Sequence, residues 1–243
     1  MTTSTIMISS ADGTQIEAYL AQPSGPESRG GVVLIHHMPG YDRGSKEIAR
    51  RIAELGYDTI VPNLYWREAP GAAPDDAAAT ARANGGVPDA QLIADVSGGA
   101  AFLRGLSASN GKVATIGHCS GGRQSVLVAC NADVDAAVDC YGAYVTGVVP
   151  EGWPLKITSL TDQLPNLRAP LLGLFGNEDQ YPSPEQVDEL EQILKAHEKT
   201  YEFHRYDGAA HAFFANDRPS YRVEAANDGW ERIAAFFRTH LAA

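Results

Sequence analysis

The apolar positions of this chain change their period as it proceeds. Ile6 and Ile8, then Ile16, Ala18 and Leu20, take every second place, with Asp12-Gly13 between them. Alternation on both sides of a turn dipeptide predicts a β-hairpin. From residue 31 the alternation stops: Gly31-Val32-Val33-Leu34-Ile35 is continuously apolar, the pattern of a strand buried on both faces of a parallel sheet. Ile48, Ile52 and Leu55 then recur at helical spacing, with Gly56 as a stop, and Tyr57 to Pro62 reads as the next strand. The order repeats with a helix around Asp89 to Leu106, a strand Lys112 to Ile116, a helix Ser120 to Cys130 and a strand Ala136 to Tyr141. After these come a strand Pro170 to Phe175, a helix Pro184 to Ala196, a strand Tyr201 to Tyr206 and a closing helix Tyr221 to His240. An antiparallel start followed by alternating strands and helices predicts an α/β protein: a mostly parallel twisted sheet with helices on both faces. With no repeat and no linker, residues 1–243 suit one domain. Residues 63–88 and 142–168, rich in Gly, Pro and Ala, fit neither period. They follow strand ends, so they are expected over the carboxyl edge of the sheet, where open α/β sheets bind ligands.

Charge narrows the partners. Thirty Asp and Glu against 19 Lys and Arg give −11, which argues against nucleic acid or an anionic membrane as partner. No apolar run approaches the ~18 residues of a membrane span. Met1-Thr2-Thr3-Ser4 leads straight into a strand without a signal peptide, and Cys119, Cys130 and Cys140 form neither a paired set nor a C-x-x-C site. A reducing cytoplasm is the expected location. Cys130 and Cys140 read as apolar core.

Cys119 does not. Val113-Ala114-Thr115-Ile116-Gly117-His118-Cys119-Ser120-Gly121-Gly122 is a β-branched run ending in G-x-C-x-G, with a helical stretch behind it. That is a nucleophile elbow carrying cysteine where an esterase usually carries serine. The flanking glycines leave room for a strained central residue, and the start of the following helix favours a thiolate there.

A thiol nucleophile needs a base and a carboxylate to orient it. In this strand order they should follow the nucleophile, acid first. Strand Leu171 to Phe175 runs into Gly176-Asn177-Glu178-Asp179, where Asp179 is chosen over Glu178 and Asp162. Strand Tyr201 to Tyr206 runs into Asp207-Gly208-Ala209-Ala210-His211, which supplies His211. Two backbone N–H groups should form an oxyanion hole: that of Ser120, and that of Met38 in the loop His36-His37-Met38-Pro39-Gly40, since Pro39 has no N–H. His36 and His37 are adjacent loop residues with no acidic or Cys cluster, a poor metal-binding pattern.

These motifs resemble the dienelactone hydrolases, cysteine members of the α/β-hydrolase fold. The likeness spans nearly the whole chain through Ile35 to Gly40, Asn63-Leu64-Tyr65-Trp66-Arg67, the cysteine elbow, Gly176 to Asp179 and His211-Ala212-Phe213-Phe214. It implies Cys119 as nucleophile, Asp179 as acid, His211 as base, Met38 and Ser120 as oxyanion donors, and Arg67 as a binder of a substrate carboxylate. Two places depart from the prototype. His37 stands where a glutamate holds the resting thiol, and Ala215 stands where a second carboxylate-binding arginine lies, Arg218 being the nearest candidate. The expected activity is hydrolysis of small esters or lactones through a thioester, with no metal or organic cofactor. The alternatives are cleavage of other activated esters, such as organophosphates or thioesters, and a redox-sensing or ligand-binding protein on the same scaffold.

Overall fold

The computed structural model describes residues 1–25 and 27–242. Its eight strands form one sheet in the order β1-β2-β4-β3-β5-β6-β7-β8. The hairpin is β1 (Thr2–Ser9) and β2 (Gln15–Gln22), antiparallel around the Asp12-Gly13 turn, with Ile8 opposite Ile16. β2 pairs antiparallel with β4 (Asp58–Pro62). From there the pairing is parallel through β3 (Arg29–Ile35), β5 (Ser109–His118), β6 (Ala136–Cys140), β7 (Leu171–Gly176) and β8 (Tyr201–Tyr206). Six helices connect and flank the strands: α1 (Arg43–Glu54), α2 (Pro74–Ala83), α3 (Asp89–Arg104), α4 (Ser120–Asn131), α5 (Pro184–Ala196) and α6 (Val223–His240). This is the α/β-hydrolase arrangement expected from the sequence.

The continuous apolar strands are explained by two separate cores. In β3, Val33 and Ile35 enter the core that packs under α3, α4 and α5, while Val32 and Leu34 enter the core under α1 and α6. Both faces of such a strand leave water, so each of its residues contributes burial free energy, roughly 1.5–3 kcal/mol for a large aliphatic side chain. α5 begins and ends where its sequence pattern predicts, fixed by a capping box in which the Ser183 side chain and Gln186 satisfy each other's backbone N–H groups.

One element was not visible in the apolar pattern. α2 lies within residues 63–88 and reads PDDAAATARA. Alanine marks an apolar face only weakly, so periodicity is faint there. The signal lies instead in helix propensity and ends: Pro74 in the first turn, Asp75 and Asp76 beside it, and Arg82 in the last. Residues 142–168 hold only a short 3-10 turn, Leu164–Asn166.

Candidate active site

The carboxyl ends of β3, β5, β7 and β8 deliver the site. β5 ends at His118, and Cys119 follows with φ 57° and ψ −124° as the residue preceding α4. A non-glycine residue with positive φ is strained. The strain is held by close packing that tolerates no Cβ on either side. A Cβ at Gly117 would strike the Gly121 backbone, and one at Gly121 would strike the carbonyl of Ile35 in β3. The Cys119 N–H donates to the Cys140 carbonyl at 3.0 Å, fixing the turn to the end of β6. Beside it, Asp139 accepts the Gly142 N–H at 2.7 Å, and burial pushes this carboxyl up to about 7.

The loops after β7 and β8 are joined to one another. The Asn177 N–H donates to the Tyr206 carbonyl at 3.0 Å, and the Glu178 N–H to that of Ala209 at 2.9 Å. This join sets Asp179 against His211: Nδ1 of His211 and Oδ2 of Asp179 are 2.8 Å apart. The other carboxylate oxygen accepts the Tyr181 N–H at 2.9 Å, so both are occupied and the buried carboxylate is fixed. Glu178, its neighbour, is exposed. Burial is the largest influence on His211 and acts against its charge. It is outweighed by the hydrogen bond to Asp179, by the adjacent Cys119 and by the charges of both, and the imidazole is pushed up to about 10. With Nδ1 committed to Asp179, Nε2 is the nitrogen left for chemistry. Cys119, Asp179 and His211 all line one cavity of about 430 Å³, together with Met38 and Ser120.

The Met38 loop is anchored from β4. His36 is fully enclosed: its Nε2 accepts the Leu64 N–H at 3.2 Å, which leaves Nδ1–H to donate to the His37 carbonyl at 3.0 Å. Burial pulls its imidazole down to about 4, keeping it neutral for both bonds. Tyr65 packs edge-on against His36 and donates its hydroxyl to the Met38 carbonyl at 2.9 Å. Ser120 opens α4, where the first N–H groups have no acceptor within the helix.

Two other predicted residues sit elsewhere. His37 pairs with Asp42, Nε2 to Oδ2 at 2.8 Å, and is not among the residues lining the cavity. Arg67 does not line it either. Its Nη1 donates to Asp12 and Thr14 at 2.8 Å each, and its Nη2 donates to Ser10 at 3.1 Å and pairs with Asp95. The reason is electrostatic. Asp95 projects from α3 into a fully buried position, where an unpaired carboxylate is costly, and Arg67 neutralises it while tying the β1–β2 turn to α3. Arg67 therefore has a structural partner set in place of the substrate carboxylate expected of it.

Residues not singled out from sequence complete the cavity. Tyr144, Trp153, Leu155 and Ile157 come from the patternless stretch 142–168, Tyr181 from the acid loop and Arg123 from α4. The aromatic side chains within a Gly- and Pro-rich loop over a strand end were the available signal. Among the described residues, no three His, Cys, Asp or Glu side chains gather as a metal-binding group, and no helix is long and apolar enough to cross a membrane.

Comparison with known proteins adds a consistent result. The profile of the Dienelactone hydrolase family matches residues 16–241. A protein of Methylorubrum extorquens named "Putative carboxymethylenebutenolidase" is 33% identical over 243 residues, covering 97% of this chain and 80% of that protein. An Escherichia coli K12 protein of the same name is 33% identical over 238 residues, covering 95% and 84%. Among solved structures, a "Putative Dienelactone Hydrolase" from Klebsiella pneumoniae superposes with a TM-score of 0.82 at 30% identity, covering 98% of this chain and 99% of that one.

Proposed function

The chain belongs to the dienelactone hydrolase family and is a hydrolase, and from that premise we propose that it cleaves small esters or lactones through a Cys119–His211–Asp179 triad and a thioester intermediate. The observation that carries this reading is the convergence of three strand ends on one cavity, with His211 bonded to Asp179 and Cys119 lining the same cavity.

The Cys119 sulfur, as thiolate, attacks the carbonyl carbon, and the carbonyl oxygen takes up the negative charge between the N–H groups of Met38 and Ser120. Such preorganised donors are each worth on the order of 10²–10³ in rate. Collapse breaks the bond to the alkoxide, which leaves with the proton of the His211 imidazolium. An imidazole pushed up to about 10 holds that proton at neutral pH. The resulting neutral His211 then takes a proton from water as it attacks the thioester. Release of the acid restores thiolate and imidazolium. His36 and Tyr65 act by positioning Met38, and Asp179 by orienting His211.

Turnover of p-nitrophenyl acetate tests this assignment. Cys119→Ala should lower kcat/KM by at least about 10³-fold, and mass spectrometry of the quenched wild-type reaction should find the acetyl group on Cys119. Wild-type turnover by Cys119→Ala would sink the triad.

A further inference from the structure

Resting on that catalytic reading, we propose that the site selects electrically neutral esters or lactones bearing an apolar or aromatic group, and rejects substrates that carry a carboxylate.

Arg123 lines the cavity, yet its side chain is 3% exposed and already engaged: its two Nη atoms lie 3.4 Å from the carboxylate of Asp89, and Nη2 donates to the Thr158 carbonyl at 2.8 Å. An incoming carboxylate would have to displace an internal one. Arg67 is committed to Asp12 and Asp95, away from the cavity. Arg218, exposed beyond His211, does not line the cavity either. Asp179 and the His211 imidazolium balance one another, with the sulfur beside them. That leaves Glu178, exposed, with no side-chain hydrogen bond among the described residues, and next in sequence to Asp179. With Cys119 as thiolate, the charges left uncompensated on the cavity wall, those of the sulfur and of Glu178, are both negative, and the chain's −11 also opposes the approach of anions.

Part of the cavity wall is aromatic. Ring centroids of Tyr144 and Trp153 are 4.9 Å apart, those of Tyr144 and Tyr181 5.3 Å, and those of Trp153 and Tyr181 5.9 Å. At such separations the rings pack on one another and do not open into a cage around a cation, and the Tyr144 hydroxyl and Trp153 Nε1 are themselves buried. Leu155 and Ile157 extend this surface. The segment is pinned: the Lys156 N–H donates to Gly85 at 2.7 Å and the Leu160 N–H to Val145 at 2.9 Å. Apolar groups gain by leaving water against this surface, whereas a carboxylate loses hydration and finds no free Lys or Arg among the described residues that line the cavity.

A matched pair of esters tests the proposal on the full chain: p-nitrophenyl butyrate, and mono-p-nitrophenyl succinate, which ends in a carboxylate. The expected kcat/KM favours butyrate by at least about tenfold at low salt, and Glu178→Lys should move that ratio at least about tenfold toward succinate. Trp153→Ala should lower butyrate turnover about tenfold, mainly through KM, while Trp153→Phe keeps most of it. Equal or better hydrolysis of succinate by wild type, or a ratio unmoved by Glu178→Lys, overturns the proposal. Binding of the two esters to Cys119→Ala protein, followed by tryptophan fluorescence, reads selectivity without turnover. Equal affinities there overturn it too, whereas failure of the catalytic reading would show separately, as ester turnover by that same variant.

Discussion

Two histidines pack against the same tyrosine ring and behave as opposites. His118 precedes Cys119 in the chain and lies 5.9 Å from the Tyr141 ring; His211 arrives from beyond β8 and lies 5.2 Å from it. His118 is walled in by Tyr141 and Phe214, and neither of its ring nitrogens has a partner among the described residues. Burial, aided by the nearby His37, pulls it down to about 3. His211 also suffers burial, but Asp179 and Cys119 push it up to about 10. The same side chain is thus held neutral at one place beside the ring and favours its charged form at another. The carboxylate partner makes the difference, and nearness to the sulfur in sequence counts for little.

Removing the carboxylate charge should turn His211 toward the His118 condition. Asp179→Asn keeps the shape of the acid but removes its charge, and it lets the ring adopt the wrong tautomer. The expected loss in kcat/KM is on the order of 10³–10⁴-fold, with the imidazole pKa, followed by NMR, falling from about 10. Activity within tenfold of wild type would mean that the carboxylate does not set the state of His211.

The contrast also shows what a sequence can and cannot disclose. Cys119 was legible because an elbow demands small residues at fixed spacing, and steric demands are local: Gly117 and Gly121 meet backbone wherever a Cβ is added. Asp179 and His211 could be named because strand ends and chain order place them. The parallel strands were legible for the same reason, through continuous burial on two faces. Arg67 was not, since its fate depends on Asp95, a buried acid on a helix 28 residues away that no local pattern pairs with it. The aromatic wall was hidden similarly. Tyr144, Trp153 and Tyr181 come from two loops with no period, and only the folded chain brings their rings together.

A smaller effect tests His118 itself. A histidine whose folded pKa is depressed to about 3 leaves stability intact above 6.5, its ordinary value, and withdraws it as pH falls from there toward 3. By pH 4 the proton bound by the unfolded chain favours unfolding by about 3 kcal/mol. His118→Phe should therefore narrow the gap in urea stability between pH 7 and pH 4 by about that amount. It should not abolish the gap, because His36, held down to about 4, acts in the same sense. An unchanged gap would show that His118 accepts its proton in place.

The smallest effect belongs to a second His–Asp pair on the same edge of the sheet. His37 and Asp42 meet at 2.8 Å, the separation of His211 and Asp179, so distance alone does not distinguish them. Their surroundings do. Asp42 divides its oxygens between His37 and the Ser45 N–H at the start of α1, making it a helix cap as much as a partner. Burial works against its charge, but His37 and Ser45 outweigh it and hold the carboxyl down to about 2. Neither His37 nor Asp42 lines the cavity. Asp42→Ala should thus cost roughly 1 kcal/mol of stability through the lost cap, read as a lower urea midpoint, and change kcat/KM by less than about fivefold. Were it to match Asp179→Asn in lost turnover, the proton chemistry would have to be reassigned to His37, and the distinction between a carboxylate that orients a base and one that caps the start of a helix would fail here.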